Sequence, residues 1–159
     1  MNNTKNTIKN PVKNTIKNSN ANNENSICEL FPKIIVLIRK KIQKKLNKTG
    51  LLWDQLIVLS QISRYEGINQ KNIAKLSLKN EASITRTINL LEKNGLIKRE
   101  ISKKDRREFL NYLTNKGRKT VEECEKIMNN VQKEIDEIFP PGDLIVIHKL
   151  LFKLFESLK

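Results

Sequence analysis

Six stretches of this chain carry apolar residues at the three- and four-residue steps of a helix with one buried face. In the first, Phe31, Ile35, Ile38, Ile42 and Leu46 form the apolar line, and Lys33, Arg39, Lys40, Lys41, Lys44, Lys45 and Lys48 make the remainder basic. A second helix is predicted from about Trp53 to Arg64, burying Leu56, Leu59, Trp53 and Ile62, with Gly67 closing it. Asn69 is suited to cap a short third helix carrying Ile73, Ala74 and Leu76. Asn80 is suited to cap a fourth, in which Ile84, Ile88 and Leu91 form one buried stripe and Gly95 ends the helix. On the far side of that fourth helix lie Ala82, Arg86, Asn89 and Lys93, flanked by Ser83 and Thr85. This face is small and hydrogen-bonding at its N-terminal end, which suits a helix pushed into a narrow space.

The period then changes. Leu96 to Ile101 and Glu108 to Leu113 are expected to be strands, with the charged stretch 102–107 as the hairpin between them. Thr114 can cap a long helix along which Val121, Cys124, Met128, Val131, Ile135 and Ile138 form a short heptad seam. Pro140, Pro141 and Gly142 break the chain before a last helix, from about Asp143, that carries Leu144, Ile147, Leu151, Leu154, Phe155 and Leu158. Residues 1–26 differ from all of this: they are Asn, Lys, Thr and Ser, with the segment NTIKN occurring twice. Such a composition cannot offset its ordering entropy, so a disordered, mildly basic arm is expected there.

Composition narrows the function classes. At 159 residues the chain has room for one domain with extensions rather than for a two-domain enzyme. Its net charge of +14 draws it toward phosphate backbones or anionic lipid, although the abundance of Lys, Asn and Ile makes placement more informative than the sum. The longest purely aliphatic run, Ile34 to Ile38, is far short of a membrane span, and no apolar signal core opens the chain. A cytoplasmic protein without a membrane partner is therefore expected. Two cysteines, Cys28 and Cys124, and one histidine, His148, cannot assemble a metal cluster, so neither metal nor cofactor is expected. No nucleophile elbow, phosphate-cradling glycine loop or metal-ligand spacing occurs, which argues against an enzyme.

Two short helices joined by a tight turn and followed at once by a two-stranded hairpin describe a winged helix-turn-helix. Charge placement agrees with that order. Residues 71–107 hold eleven basic and four acidic side chains, against four and six over 118–139, so the excess follows the elements that would touch DNA. The fold class expected is mainly α with a small β-hairpin wing: a winged helix-turn-helix core with N- and C-terminal dimerisation helices.

The segments LLWDQLIVLSQI, INQKNIAKLSLKNEASITRTINLLEKNGLIKRE and KKDRREFLNYLTNKG, within about residues 51–120, resemble the core of MarR-family (multiple antibiotic resistance regulator) transcription factors. The most specific parts are Thr85-Arg86, LLEKNGLI at 90–97, the D-x-R of Asp105 and Arg107, and the LTxxG of Leu113 to Gly117. The resemblance implies a homodimer whose first and last helices interlock, a near-palindromic operator, repression as the common mode, and often a small effector or oxidant. It also implies that Arg107 is the wing-tip arginine, which can enter a narrow minor groove.

Double-stranded DNA is thus the expected partner, and the expected DNA-binding residues are Asn80, Ser83, Thr85, Arg86, Asn89, Lys103, Lys104, Asp105, Arg106 and Arg107. Ser83, Thr85 and Asn89 are best placed for base edges or phosphates, and Lys103, Lys104 and Arg106 for loose phosphate attraction. For Arg86 the rival is an ion pair within the domain. Asp105 can accept from a guanidinium or from turn amides, aiming Arg107 before DNA arrives; its other reading is a plain turn-former. Glu81 favours the helix dipole at the start of the fourth helix. Residues 51–117 would be the DNA-binding domain, with 27–50 and 118–159 as the helical dimerisation region, because the terminal helices offer wider apolar stripes than one such domain needs.

Cys28 lies near the start of the first helix, where peroxide-responsive relatives carry a reactive cysteine, but the accompanying tyrosines are missing from the second helix. Leu52 also departs from the family, which often has a Thr or Ser cap there. Three functions remain open: a sequence-specific, effector-tuned regulator, an architectural DNA binder without discrimination, and a module that uses the same face for protein partners.

Overall fold

A computed structural model describes residues 26–159; the arm expected over 1–26 lies, apart from Ser26, outside the described residues. The described residues fall into two compact units, one ending at Ile38 and the other running from Arg39 to Lys159. The elements are α1 (Ile27–Leu46), α2 (Trp53–Arg64), β1 (Ile68–Asn69), α3 (Gln70–Ser77), α4 (Glu81–Lys93), β2 (Ile97–Ile101), β3 (Phe109–Leu113), α5 (Asn115–Asp136) and α6 (Pro141–Ser157). Helix α1 begins four residues before the apolar line that starts at Phe31. Ser26 explains this, since its Oγ accepts from the Glu29 amide at 3.3 Å and caps the added turn.

In the second unit, Ile42 and Leu46 from the end of α1 are buried. Helix α2 starts at Trp53 although Leu52 supplies no capping side chain. Two glutamines replace it: Gln55 Oε1 accepts from the Leu52 amide and Gln43 Oε1 from the Trp53 amide, both at 2.9 Å. Asn69 Oδ1 caps α3 through the Asn72 amide at 2.9 Å, and Asn80 Oδ1 caps α4 through the Ser83 amide at 2.8 Å. Helices α3 and α4 form the helix-turn-helix. Val58, Leu59 and Ile62 of α2, Ile73 of α3, and Ile84, Ile88 and Leu91 of α4 make its core. Each such side chain contributes about 2 kcal/mol by leaving water. Leu76 is an exception to the expected stripe, at 47% exposed. The buried arc of α3 runs through Ile73, Ala74 and the half-buried Ser77, and Leu76 falls beyond its edge.

Strands β2 and β3 form the predicted hairpin, in antiparallel register from Ile97↔Leu113 to Ile101↔Phe109. A third strand was not legible in the pattern: β1 pairs Ile68 with Asn111 and Asn69 with Leu110, giving the order β1-β3-β2. Two residues are too short to show a period. Asn111, in the central strand, is 1% exposed and its Nδ2 donates to the Ile68 carbonyl at 2.8 Å.

Helix α5 follows with Thr114 accepting from the Gly117 amide at 3.0 Å. A Cβ on Gly117 would lie 2.0 Å from the Leu96 carbonyl oxygen, so only glycine lets the first turn of α5 rest on the start of β2. This gives the Thr and Gly of the LTxxG segment separate jobs. The seam along α5 is partly satisfied within the chain: Val121, Cys124 and Val131 are buried, whereas Ile138 lies past the helix end and is 68% exposed. Helix α6 begins at Pro141 rather than Asp143, because proline is tolerated in a first turn where its missing N–H has no helical partner. None of its residues is buried. The fold class is the one expected, mainly α with a winged helix-turn-helix. Among the described residues no helix is long and apolar enough to cross a membrane.

Candidate nucleic-acid interface

Helix α4 buries one side and leaves the other free. Ala82, Arg86, Asn89 and Lys93 are exposed, and Ser83 and Thr85 are half-buried at the edge of the same face. Capping uses Asn80 Oδ1, and the Nδ2 group makes no hydrogen bond among the described residues. Thr85 donates its hydroxyl to the Glu81 carbonyl at 2.8 Å, so it faces a ligand as an acceptor. The rival reading of Arg86 is not realised, since Arg86 enters no ion pair among the described residues.

The hairpin turn is organised by two short side chains. Ser102, buried at its base, donates its amide to the Glu108 carbonyl at 2.9 Å while its Oγ accepts from the amides of Lys104 and Asp105 at 3.2 and 3.3 Å. Asp105 Oδ1 accepts from the Arg107 amide at 2.9 Å, and the Asp105 carbonyl accepts from Glu108 at 3.0 Å. Of the two partners offered for Asp105, it is therefore a turn amide and not a guanidinium. The carboxylate holds the backbone from which Arg107 projects and leaves the guanidinium free. Lys103, Lys104, Asp105, Arg106 and Arg107 are all exposed.

Helix and wing share one cleft of about 240 Å³, lined by Glu81 and Ile88 of α4, by Lys71 of α3, and by Arg99, Arg107 and Phe109 of the wing. Of the predicted DNA-binding residues only Arg107 lines this cleft; Glu81 and Ile88 lie on the side of α4 turned to the wing, and Ser83, Arg86 and Asn89 lie on its other, exposed side. Ion pairs tie the neighbouring elements together. Lys79, in the turn before α4, donates to Asp54 at 2.9 Å, and Arg39 reaches the same carboxylate at 3.3 Å. The hydrogen bond from Lys79 is the chief cause that holds the Asp54 carboxyl below its ordinary range. Lys41 and Lys45 of α1 both donate to Glu134 of α5, lowering its pKa to about 2.

Several contributors escaped the sequence reading. Ser102 is not marked by the hydrophobic or charge pattern, although a serine three residues before an aspartate between two strands is a turn-forming signal. Glu108 accepts from Asn69 Nδ2 at 3.1 Å and ties the wing to β1. Glu92 of α4 pairs with Arg99 of β2, a contact across seven residues that no periodicity announces.

A second cavity, of about 450 Å³, opens between α2 and α5. Trp53, Leu56, Val121 and Met128 give it apolar walls, and Arg64 and Glu125 add charge. Cys124 also lines it but is 1% exposed, and burial pushes its thiol pKa up, as fits a core residue. Cys28 is exposed. His148 is exposed on α6, so it is not packed within its own chain.

Residues 51–109 match the family model described as MarR family. The chain is 33% identical over 119 residues, covering 75% of its own length and 85% of the relative, to YwoH, an uncharacterized HTH-type transcriptional regulator of Bacillus subtilis (strain 168). Among solved structures, a MarR transcriptional regulator from Methanosarcina mazei Go1 superposes with a TM-score of 0.73 at 26% identity, covering 81% of this chain and 96% of that one. The MepR–DNA complex of S. aureus gives a TM-score of 0.78 at 22% identity, with 83% of this chain and 98% of that one covered.

Proposed function

This chain belongs to the MarR family, and from that premise we propose that it is a sequence-specific transcriptional regulator binding double-stranded DNA as a homodimer in the cytoplasm. The observation that carries the proposal is the pairing of an exposed polar face on α4, free of ion pairs at Arg86, with an exposed cationic wing turn whose backbone Asp105 fixes. Helix α4 would enter the major groove, with Ser83, Thr85 and Asn89 at base edges or phosphates and Asn80 and Arg86 at the backbone. Lys103, Lys104 and Arg106 would neutralise phosphates beside it. Arg107, preset by Asp105, would enter the minor groove, where a narrow width concentrates negative potential.

Dimerisation is supported by α6, where Ile145, Leu150 and Phe152 are each at least 60% exposed, and by Leu158 just past its end, 77% exposed. In the other unit, Ile27, Ile34, Ile35 and Leu37 are likewise exposed. Residues 27–50 and 118–159 would make the association and 51–117 the DNA contact. Two-fold symmetry then implies a near-palindromic operator, and a dimer seated on it excludes competing proteins, which is repression. The cavity between α2 and α5 suits a largely apolar effector with one anionic or polar group facing Arg64.

Selecting bound fragments from a random duplex pool, then titrating salt on the selected and scrambled duplexes, tests the proposal. A palindrome bound at least about a thousandfold more tightly than its scramble is expected. Equal affinities with the same salt slope would instead make the protein an architectural DNA binder, and no retention on any duplex would point to protein partners.

A further inference from the structure

The ion pair between Glu92 and Arg99 joins the two elements that would read DNA. Glu92 sits one residue before the last of α4, and Arg99 is the middle residue of β2. Arg99 is held on its other side as well, its guanidinium lying 5.7 Å from the centre of the Phe109 ring across the hairpin. Arg99 also lines the cleft between α4 and the wing, together with Arg107 and Phe109. One guanidinium is thus clamped between a helix carboxylate and a wing aromatic. Both members of the pair are about a third exposed, at 31% and 36% of their side-chain surface. A pair so wet adds little to folding stability.

We propose that Glu92 and Arg99 are positioning residues that set the distance between α4 and the wing, so that major-groove and minor-groove contacts are made in one register. The inference rests on the DNA-binding reading above. It assigns Glu92 a use that its charge alone would forbid, because a carboxylate beside DNA repels phosphates. The geometry resolves the conflict in the same way that Asp105 does in the turn: an acid is kept near the interface for what it holds, not for what it attracts.

The opposition of signs makes the test sharp. Removing Glu92's charge raises affinity on every duplex alike if charge is all that matters. If Glu92 positions the wing, Glu92→Gln lowers the ratio of affinities between the selected operator and the same operator with only its wing-contacted flanks scrambled. A uniform charge effect cancels in that ratio. A drop of about tenfold is expected for Glu92→Gln, with recovery of most of the ratio in the double exchange Glu92→Arg, Arg99→Glu. Thermal unfolding of each variant, expected to stay near wild type, separates positioning from misfolding.

An unchanged ratio in Glu92→Gln, or no recovery in a folded double exchange, overturns the inference. A wild-type protein without any flank preference fails at an earlier point, in the wing contact itself. In that case the reading of Arg107 falls and not only that of Glu92.

Discussion

Helices α4 and α6 have the same kind of pattern and opposite surroundings. In α4, Ile84, Ile88 and Leu91 are at most 1% exposed, sealed by α2, α3 and the sheet. In α6, Leu151 and Phe155 of the predicted stripe are 43% and 46% exposed, and Leu150 and Phe152 beside it are 60% and 66% exposed. A spacing of three and four defines an apolar face, and it says nothing about what covers that face. The helix-turn-helix unit is complete within one chain, whereas α6 forgoes about 1.5–3 kcal/mol for each large side chain left in water. That difference separates folding from assembly, and substitutions in the two regions are expected to fail in different ways.

The largest effect is expected where the comparison is most exposed to refutation. Phe152→Glu puts a charge into the face that a second copy would cover, and two-fold symmetry counts it twice, so association should weaken by about 4 kcal/mol. Sedimentation should show a shift from dimer to monomer, with the circular dichroism of the helix-turn-helix kept. A wild-type monomer at micromolar concentration, or a variant that remains dimeric, would remove the contrast between the helices. Gly117→Ala should act in the opposite sense. Its new methyl meets the Leu96 carbonyl at 2.0 Å, so the start of α5 must lift from β2 at about 3 kcal/mol in stability, measured by urea unfolding. Loss of association without loss of stability in this variant would show that α5's first turn serves assembly instead.

Within the DNA-facing unit, the fixed and the loose cations can be told apart. Arg107 stands on a backbone held by Asp105, so Arg107→Ala should cost about 2 kcal/mol in binding and relax preference at the wing-contacted flanks. Among the described residues the Lys104 side chain makes no hydrogen bond or ion pair that would direct it, although its amide is held by Ser102. Lys104→Ala should lower affinity by less, evenly across sequences, and reduce the salt slope by about one for each chain. Equal, sequence-blind losses in both variants would reduce the wing to a phosphate magnet.

How much of this could be seen in the sequence depends on how local each cause is. The second helix, the caps at Asn69, Asn80 and Thr114, and the hairpin between residues 101 and 109 are written in adjacent residues, and they fall where the pattern puts them. The early start of α1 turned on one serine, and the start of α2 on glutamines whose partners lie three and ten residues away. β1 escaped because a two-residue strand has no period. The Glu92–Arg99 pair escaped because it depends on how a helix meets a sheet. At the candidate site, the charged residues are visible as an excess of lysine and arginine, but which of its possible partners Asp105 takes, the Arg107 amide, depends on the conformation of the turn and is not written in the residue types.

The smallest expected effect concerns two turns with one geometry. Helix α4 ends with Gly95 at φ +69° and the Leu96 amide donating back to Leu91 at 2.9 Å. Helix α3 ends in the same way, with Lys79 donating to Ala74 at 3.1 Å, but the left-handed position is filled by Leu78 at φ 52°. A leucine there bears about 1 kcal/mol of steric strain, and at 79% exposure its side chain returns little through burial. Leu78→Gly relieves the strain and gives back part of the gain as chain entropy, so a net stabilisation of about 0.5 kcal/mol is expected, with a rise in Tm of about 1–2 °C. Affinity for DNA should not change, because the Lys79–Asp54 contact and the Asn80 cap fix the entry of α4 independently of residue 78. A variant that gains stability yet binds DNA less well would mean that the strained leucine, and not the caps, sets the angle at which α4 is presented.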